Sequence, residues 1–270
     1  MAGRCHSPQH LFNELTIASP VDITPRLTLT LWQGLGWSPE VVPINTPRTN
    51  PLDAHLVDAL AASASSTRLE AALAVGARPD PALLDTLVAR CAVEPDFFVR
   101  DMLTWALTRL PPAITVPRLR AQLCSENARA RSQALHTLSK VGDASAWPAL
   151  TRSLLRDSDD EVARSAWRAA VALVPDGREK DLAEELATQL GRGDREVQLS
   201  LSRALVALGE AVEPMLRAAT GSDDPGVRAH ASATERLLRD PDAGFELAVD
   251  EARRLVALGG ERGLGQRADR

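Results

Sequence analysis

Along most of the chain, apolar positions recur with a helical period, and polar joints interrupt them at regular intervals. Five segments superimpose: DFFVRDMLTWAL (Asp96–Leu107), NARARSQALHTL (Asn127–Leu138), DDEVARSAWRAA (Asp159–Ala170), DREVQLSLSRAL (Asp194–Leu205) and DPGVRAHASATE (Asp224–Glu235). Their shared core positions are Val99, Ala130, Val162, Val197 and Val227, spaced 31, 32, 35 and 30 residues apart. A weaker copy, STRLEAALAVGA, places Thr67 another 32 residues upstream of Val99. Repeats of this length mark stacked supersecondary units.

Counted from each aligned residue, positions 0, +4, +5, +8 and +11 are mostly apolar, as in Ala130, Ala134, Leu135, Leu138 and Val141. At about 100° per residue these share one helix face. Three residues before each aligned position stands Asp96, Asn127, Asp159, Asp194 or Asp224. That spacing predicts an N-cap, whose side-chain oxygen accepts from a free amide of the first turn. Pro225 falls at the first helical position, where a missing N–H is harmless.

A second amphipathic segment precedes each of these helices: ALLDTLVARC, ITVPRLRAQL, AWPALTRSLL, EKDLAEELATQL and AVEPMLRAAT. Short polar or Gly-containing joints, including VGDAS, VPDG, GRGD and TGSDD, separate these segments. The predicted fold is all-α, an α-solenoid of about six stacked antiparallel helix pairs, because one pair cannot bury its apolar face alone. The D-x-x-V-R-x-x-A-x-x-x-L pattern, with Val-Arg at Val99–Arg100 and Val227–Arg228 and a near match at Ala130–Arg131, resembles the HEAT repeat. The resemblance covers roughly Leu52 to Leu258, about three quarters of the chain, and is similar to short actinobacterial HEAT-repeat proteins. Val162–Ala163 and Val197–Gln198 lack the Arg. The Asp–Arg ladder that the resemblance implies is therefore expected to be interrupted there.

Composition agrees with helix. Aromatic residues are 3% of the chain and Tyr is absent, so Ala, Leu and Val build the core. Lys140 and Lys180 are the only lysines, an Arg-rich bias that suggests a high-GC bacterial genome. The net charge of −5 argues against non-specific coating of nucleic acid. Cys5, Cys91 and Cys124 form no C-x-x-C pair and read as reduced cytosolic thiols. No signal peptide or membrane-length apolar run occurs, so the expected location is cytoplasmic. Met1–Pro51 holds seven prolines and is expected to be a weakly ordered segment, with ITPRLTLTLW (Ile23–Trp32) as its one candidate strand. Residues 52–258 form the predicted solenoid, and 259–270 a mobile Gly/Arg-rich tail.

The acidic run DSDDE (Asp157–Glu161) fails as a calcium loop, because Val162 stands where Gly is required and Arg168 where Glu is required. It reads instead as a cap with acids favourably placed at a helix start. None of His6, His10, His55, His136 or His230 is followed by Glu, so the His-Glu iron ligands of the deoxyhypusine hydroxylases, HEAT-repeat enzymes, are missing. No phosphate loop is present, no cofactor is expected, and the chain reads as non-enzymatic. HEAT-like DNA glycosylases use Trp, Asp and Arg around an exposed base. Asp101 and Trp105, with Arg100 and Arg131, offer these types without a spacing signature.

The face opposite the core carries the candidate function. Position +6 holds Trp105, His136, Arg168 and Arg203, and position +2 holds Asp101, Ser132, Arg164 and Leu199. In HEAT proteins the second helices line the concave surface, so the resemblance implies a binding ladder here. The expected function is a protein-binding scaffold or adaptor, engaging an acidic or extended protein partner through Asp101, Trp105, His136, Arg164, Arg168 and Arg203. Nucleic acid is the alternative partner and no membrane is expected. Trp167 and Trp147 are assigned to packing.

Overall fold

The structure, a computed structural model, describes residues 51–240, with side chains from residue 54. The expected leader, its candidate strand, the end of the solenoid beyond Asp240 and the tail lie outside these residues. Six helix pairs follow one another. They are α1 (Pro51–Leu60) with α2 (Ser65–Ala77), α3 (Leu84–Val93) with α4 (Phe97–Thr108), and α5 (Pro112–Gln122) with α6 (Ala128–Val141). Then come α7 (Arg152–Leu155) with α8 (Asp160–Leu173), α9 (Glu179–Ala187) with α10 (Arg195–Ala207), and α11 (Glu213–Ala219) with α12 (Pro225–Arg239). Each second helix packs on the second helix before it, so α2, α4, α6, α8, α10 and α12 form one continuous row. The described residues contain no strand, and the fold is an all-α solenoid.

All five predicted caps form. Asp96, Asp159 and Asp194 accept from the amides three residues on, at 3.1, 3.1 and 3.0 Å. Asn127 accepts from Arg129 N–H, and Asp224 from both Gly226 and Val227. The α6 helix ends at Gly142, whose φ of 69° is the left-handed cap that a side chain would strain.

The first helices are shorter than their apolar pattern predicts. AWPALTRSLL is a 3₁₀ turn (Ala144–Ala149) followed by the single turn of α7, not one helix. Pro148 supplies no N–H and restrains Trp147 before it, which favours the break. Before α11 a second 3₁₀ turn, Gly209–Val212, likewise shortens the helix, and Pro214 sits in its first turn.

The core positions are buried as expected in α4, α8 and α10. Trp167 is fully buried, and its indole N–H donates to Leu155 O at 2.8 Å, which satisfies the one polar atom that burial endangers. Trp147 packs against the same core. In α12 the buried face turns towards α10 and α11: Ala229, His230, Ala231, Ala233 and Thr234 are covered, while Val227 and Leu238 are half-exposed. No further described pair covers that outer side.

Charges tie the pairs together in a pattern that local reading missed. The Arg following the aligned core position donates to two carbonyls of the joint before its own helix. Arg68 bonds Ala62 O and Ser63 O, Arg100 bonds Glu94 O and Pro95 O, Arg131 bonds Ser125 O and Glu126 O, and Arg228 bonds Ser222 O and Asp223 O. Two of these also reach an acid in the next joint: Arg68 meets Glu94 at 2.7 Å and Arg131 meets Asp157 at 3.0 Å. The expected interruption at Ala163 is repaired from the other side. Arg192, five residues before Val197, donates back to Asp160 Oδ1 at 2.8 Å and to Asp157 O, and lies over the Trp167 ring. Within DSDDE, then, Asp157 pairs with Arg131, Asp159 caps and Asp160 receives Arg192.

Glu94 is the hub of this system and is wholly buried. Its carboxylate accepts from Arg68, Arg90 and the Asp96 amide, while its carbonyl accepts from Arg100 and Arg129. Burial pushes the carboxyl up, but the bonds from Arg68, Asp96 N–H and Arg90 outweigh it and hold the group down at about 2.

Candidate functional site

The second-helix row presents a groove of about 760 Å³ that crosses α4, α6 and α8. It is lined by Phe97, Asp101, Arg129, His136, Ser165 and Arg168 among others. Three of the six predicted residues, Asp101, His136 and Arg168, therefore meet in one place. They come from three successive repeats because position +6 of one helix and +2 of another face the same valley.

The other three stand elsewhere. Trp105 is exposed at 38% and lies on α2, where a Cβ at Gly76 would approach its ring to 2.1 Å. Gly76 is thus a seat for the indole, and the four-residue spacing from Asp101 does not bring both side chains into the groove. Arg164 bridges Glu161 at 3.1 Å and Glu196 at 3.8 Å, tying α8 to the start of α10. Arg203 is exposed on α10 and does not line the groove. Position +2 also changes character: Ser132 is buried and bonds Ser165 at 3.1 Å, while Leu199 packs against Ala233 and Leu237 of α12.

His136 is half-buried, and its imidazole sits below its ordinary value. Burial is the chief cause, and Arg168 and Lys140 add to it against the weaker pull of Asp101 and Glu161. It presents a neutral ring at neutral pH. The Arg168 guanidinium donates to Ser165 Oγ at 3.1 Å and remains charged.

The sequence reading missed Phe97 and Phe98. They occupy the first two positions of α4, are 66% and 68% exposed, and pack edge to face at 5.6 Å. Arg100 lies over the Phe97 ring at 6.0 Å. Their signal was legible: they are two of only four Phe in the chain, at a site where other repeats carry Arg129, Asp160–Glu161 or Arg195–Glu196.

A second groove of about 760 Å³ lies between α5 and α7, next to Cys124. The charges at its base, Arg131 and Asp157, already pair with each other. Cys91 is buried, which pushes its thiol up to about 12 and leaves it unreactive. Among the described residues no three His, Cys, Asp or Glu side chains converge as metal ligands, and no helix is long and apolar enough to cross a membrane.

No curated protein matches the chain. A crystal structure of an engineered protein is similar at 22% identity, with a TM-score of 0.41, covering 73% of this chain and 96% of that one. The complex of CpcE and CpcF of phycocyanin lyase from Nostoc sp. PCC7120 is similar at 20% identity, with a TM-score of 0.42, covering 80% of this chain and 91% of that one. The family profile for HEAT repeats matches residues 99–172, the stretch from the aligned Val of α4 through α8 that carries the groove. Residues 99–172 of the all-α solenoid thus carry HEAT repeats, on the stretch where the capped second helices α4, α6 and α8 stack.

Proposed function

We propose that the protein is a non-catalytic, cytoplasmic interaction scaffold or adaptor that binds a protein partner through the second-helix face of its repeats. The observation that carries this reading is the groove itself. It spans three repeats, mixes aromatic, basic and neutral polar groups, and lies over a network that holds its walls in place. A surface so braced loses little conformational entropy on binding. Asp101, His136 and Arg168 make the contacts, Trp105 and Arg164 brace the flanking helices, and Arg203 extends the face by one repeat.

A photo-reactive benzophenone side chain at position 133, inside the groove, and another at position 180, on the first helix α9, test the proposal. Illumination in cells is expected to join position 133, and not position 180, to a discrete protein. Equal labelling at both, or labelling of position 180 alone, contradicts it.

Nucleic acid is the second reading, because Arg100, Arg129 and Arg168 line the groove without carboxylate partners among the described residues. It requires duplex or single-stranded DNA to shift in a gel and to be released steeply by salt, with Arg168→Glu and Arg203→Glu abolishing the shift. The presence of Asp101 between those cations, and the net charge of −5, favour a protein.

A further inference from the structure

We propose that the groove takes an extended acidic segment of its partner, anchored by an aromatic or aliphatic side chain against Phe97 and Phe98. This rests on the reading of the second-helix face as an interaction surface, and it names what that face recognises.

Both rings are exposed. Neither Phe belongs to the core, and in the other repeats the same two helix positions are filled by Ala128–Arg129, Asp160–Glu161, Arg195–Glu196 and Pro225–Gly226. The fold does not need an apolar residue there. Val93, 57% exposed in the preceding helix, is another large apolar side chain left to solvent just before this joint. Paired exposed aromatics are costly to solubility unless something covers them, and aromatic anchors dominate binding energy where they are covered.

Charge pairing around the groove is unbalanced. Arg100 and Arg129 donate to the Glu94 carbonyl, and Arg168 to Ser165 Oγ; none meets a carboxylate among the described residues. The acids of the lining are largely committed. Asp159 accepts from the Val162 amide, and Glu161 pairs with Arg164. Asp101 alone keeps its carboxylate for a ligand. With Glu161 neutralised by Arg164, three guanidinium groups stand against the two carboxylates of Asp101 and the capping Asp159, a positive surplus that favours an acidic ligand. Asp101 disfavours a uniform polyanion, since a phosphate backbone crossing the groove would meet it at close range, whereas a peptide can place a donor there. A groove running across three stacked helices suits an extended chain rather than a globular surface.

The test is selection of a phage-displayed random-peptide library on the full-length protein, followed by affinity measurement of the selected peptides. The expected consensus carries more Asp and Glu than Lys and Arg, together with Phe, Trp or Leu. Affinity is expected to fall by about tenfold or more in Phe97→Ser/Phe98→Ser and, separately, in Arg129→Glu/Arg168→Glu, with the melting midpoint nearly unchanged in both. A basic or uncharged consensus, no enrichment, or peptides indifferent to both variants overturns the proposal. Cross-linking at position 133 separates this outcome from failure of the broader reading: a protein captured there while the selected peptides are not acidic refutes the ligand class alone.

Discussion

His136 on α6 and His230 on α12 sit in equivalent second helices, yet one lines an open groove and the other is sealed. His230 is fully buried between α10 and α12. Its Nδ1 accepts from Gly191 N–H at 3.0 Å, so the proton is on Nε2, which faces Gln198 O and Ser202 Oγ, each at 3.0 Å. Ser202 in turn bonds Thr234 at 2.7 Å, and Thr234 donates to the His230 carbonyl. Burial holds this imidazole down at about 4, against the bond to Gln198. His136 is lowered by burial together with the positive charges of Arg168 and Lys140, and it faces space that nothing in the described chain fills. His136 stands at +6 and His230 at +3 of their repeats, so a histidine on the second-helix row can close a seam or line an open one, depending on its register and on whether the neighbours complete the polar network.

The largest effect is expected at the hub beneath the open seam. Glu94→Ala leaves two buried or half-buried Arg side chains unpaired and is expected to destabilise the fold by about 3–5 kcal/mol in chemical denaturation. Breaking the closed seam comes next: His230→Ala is expected to cost about 3 kcal/mol, since it opens a cavity and strands Gly191 N–H. The same residue sets an acid window. Its folded value of about 4 lies below the ordinary 6.5, so the unfolded chain takes up the proton first and stability falls as pH drops from 6.5 to 4. The full loss is about 3 kcal/mol, and this part is expected to vanish in His230→Ala, leaving the slope that His136, also held below its ordinary value, contributes in the same window. Glu94, held at about 2 against 4.5, contributes a further loss only below pH 4.5.

Smaller effects sharpen the same contrast. Gly76→Ala pushes against the Trp105 ring and is expected to cost about 1–3 kcal/mol, with Trp105→Ala in the same chain relieving the clash. Asp157→Asn weakens the Arg131 pair and is expected to cost about 1–2 kcal/mol. Phe97→Ser/Phe98→Ser, at the rim of the open seam, is expected to change stability by less than about 0.5 kcal/mol. A large loss there would move the two rings from binding to packing.

The solenoid was legible because its signals are local. Caps three residues before Val99, Val162 and Val197, and apolar positions four and eight beyond them, depend only on helix geometry, and the structure keeps them. The breaks at Pro148 and before Pro214 were written in the sequence too, but the apolar pattern outweighed them. The ladder at +6 was legible only as a list of residues. Whether Trp105 faced the groove or Gly76 depended on a glycine twenty-nine residues earlier in the chain, and whether Arg164 was available depended on Glu196 in the next repeat. The repair of the missing Arg at position 163 by Arg192 is likewise non-local. Phe97 and Phe98 were visible throughout; alignment by core positions alone gave their positions no weight.

Hydrogen–deuterium exchange of the full-length protein, alone and with the purified partner captured at position 133, tests the central claim most directly. Added protection is expected on α4, α6 and α8, strongest around Phe97–Asp101 and Arg129–His136, with α5, α7 and α9 unchanged. Protection confined to the first helices, or to the α10–α12 seam, contradicts it.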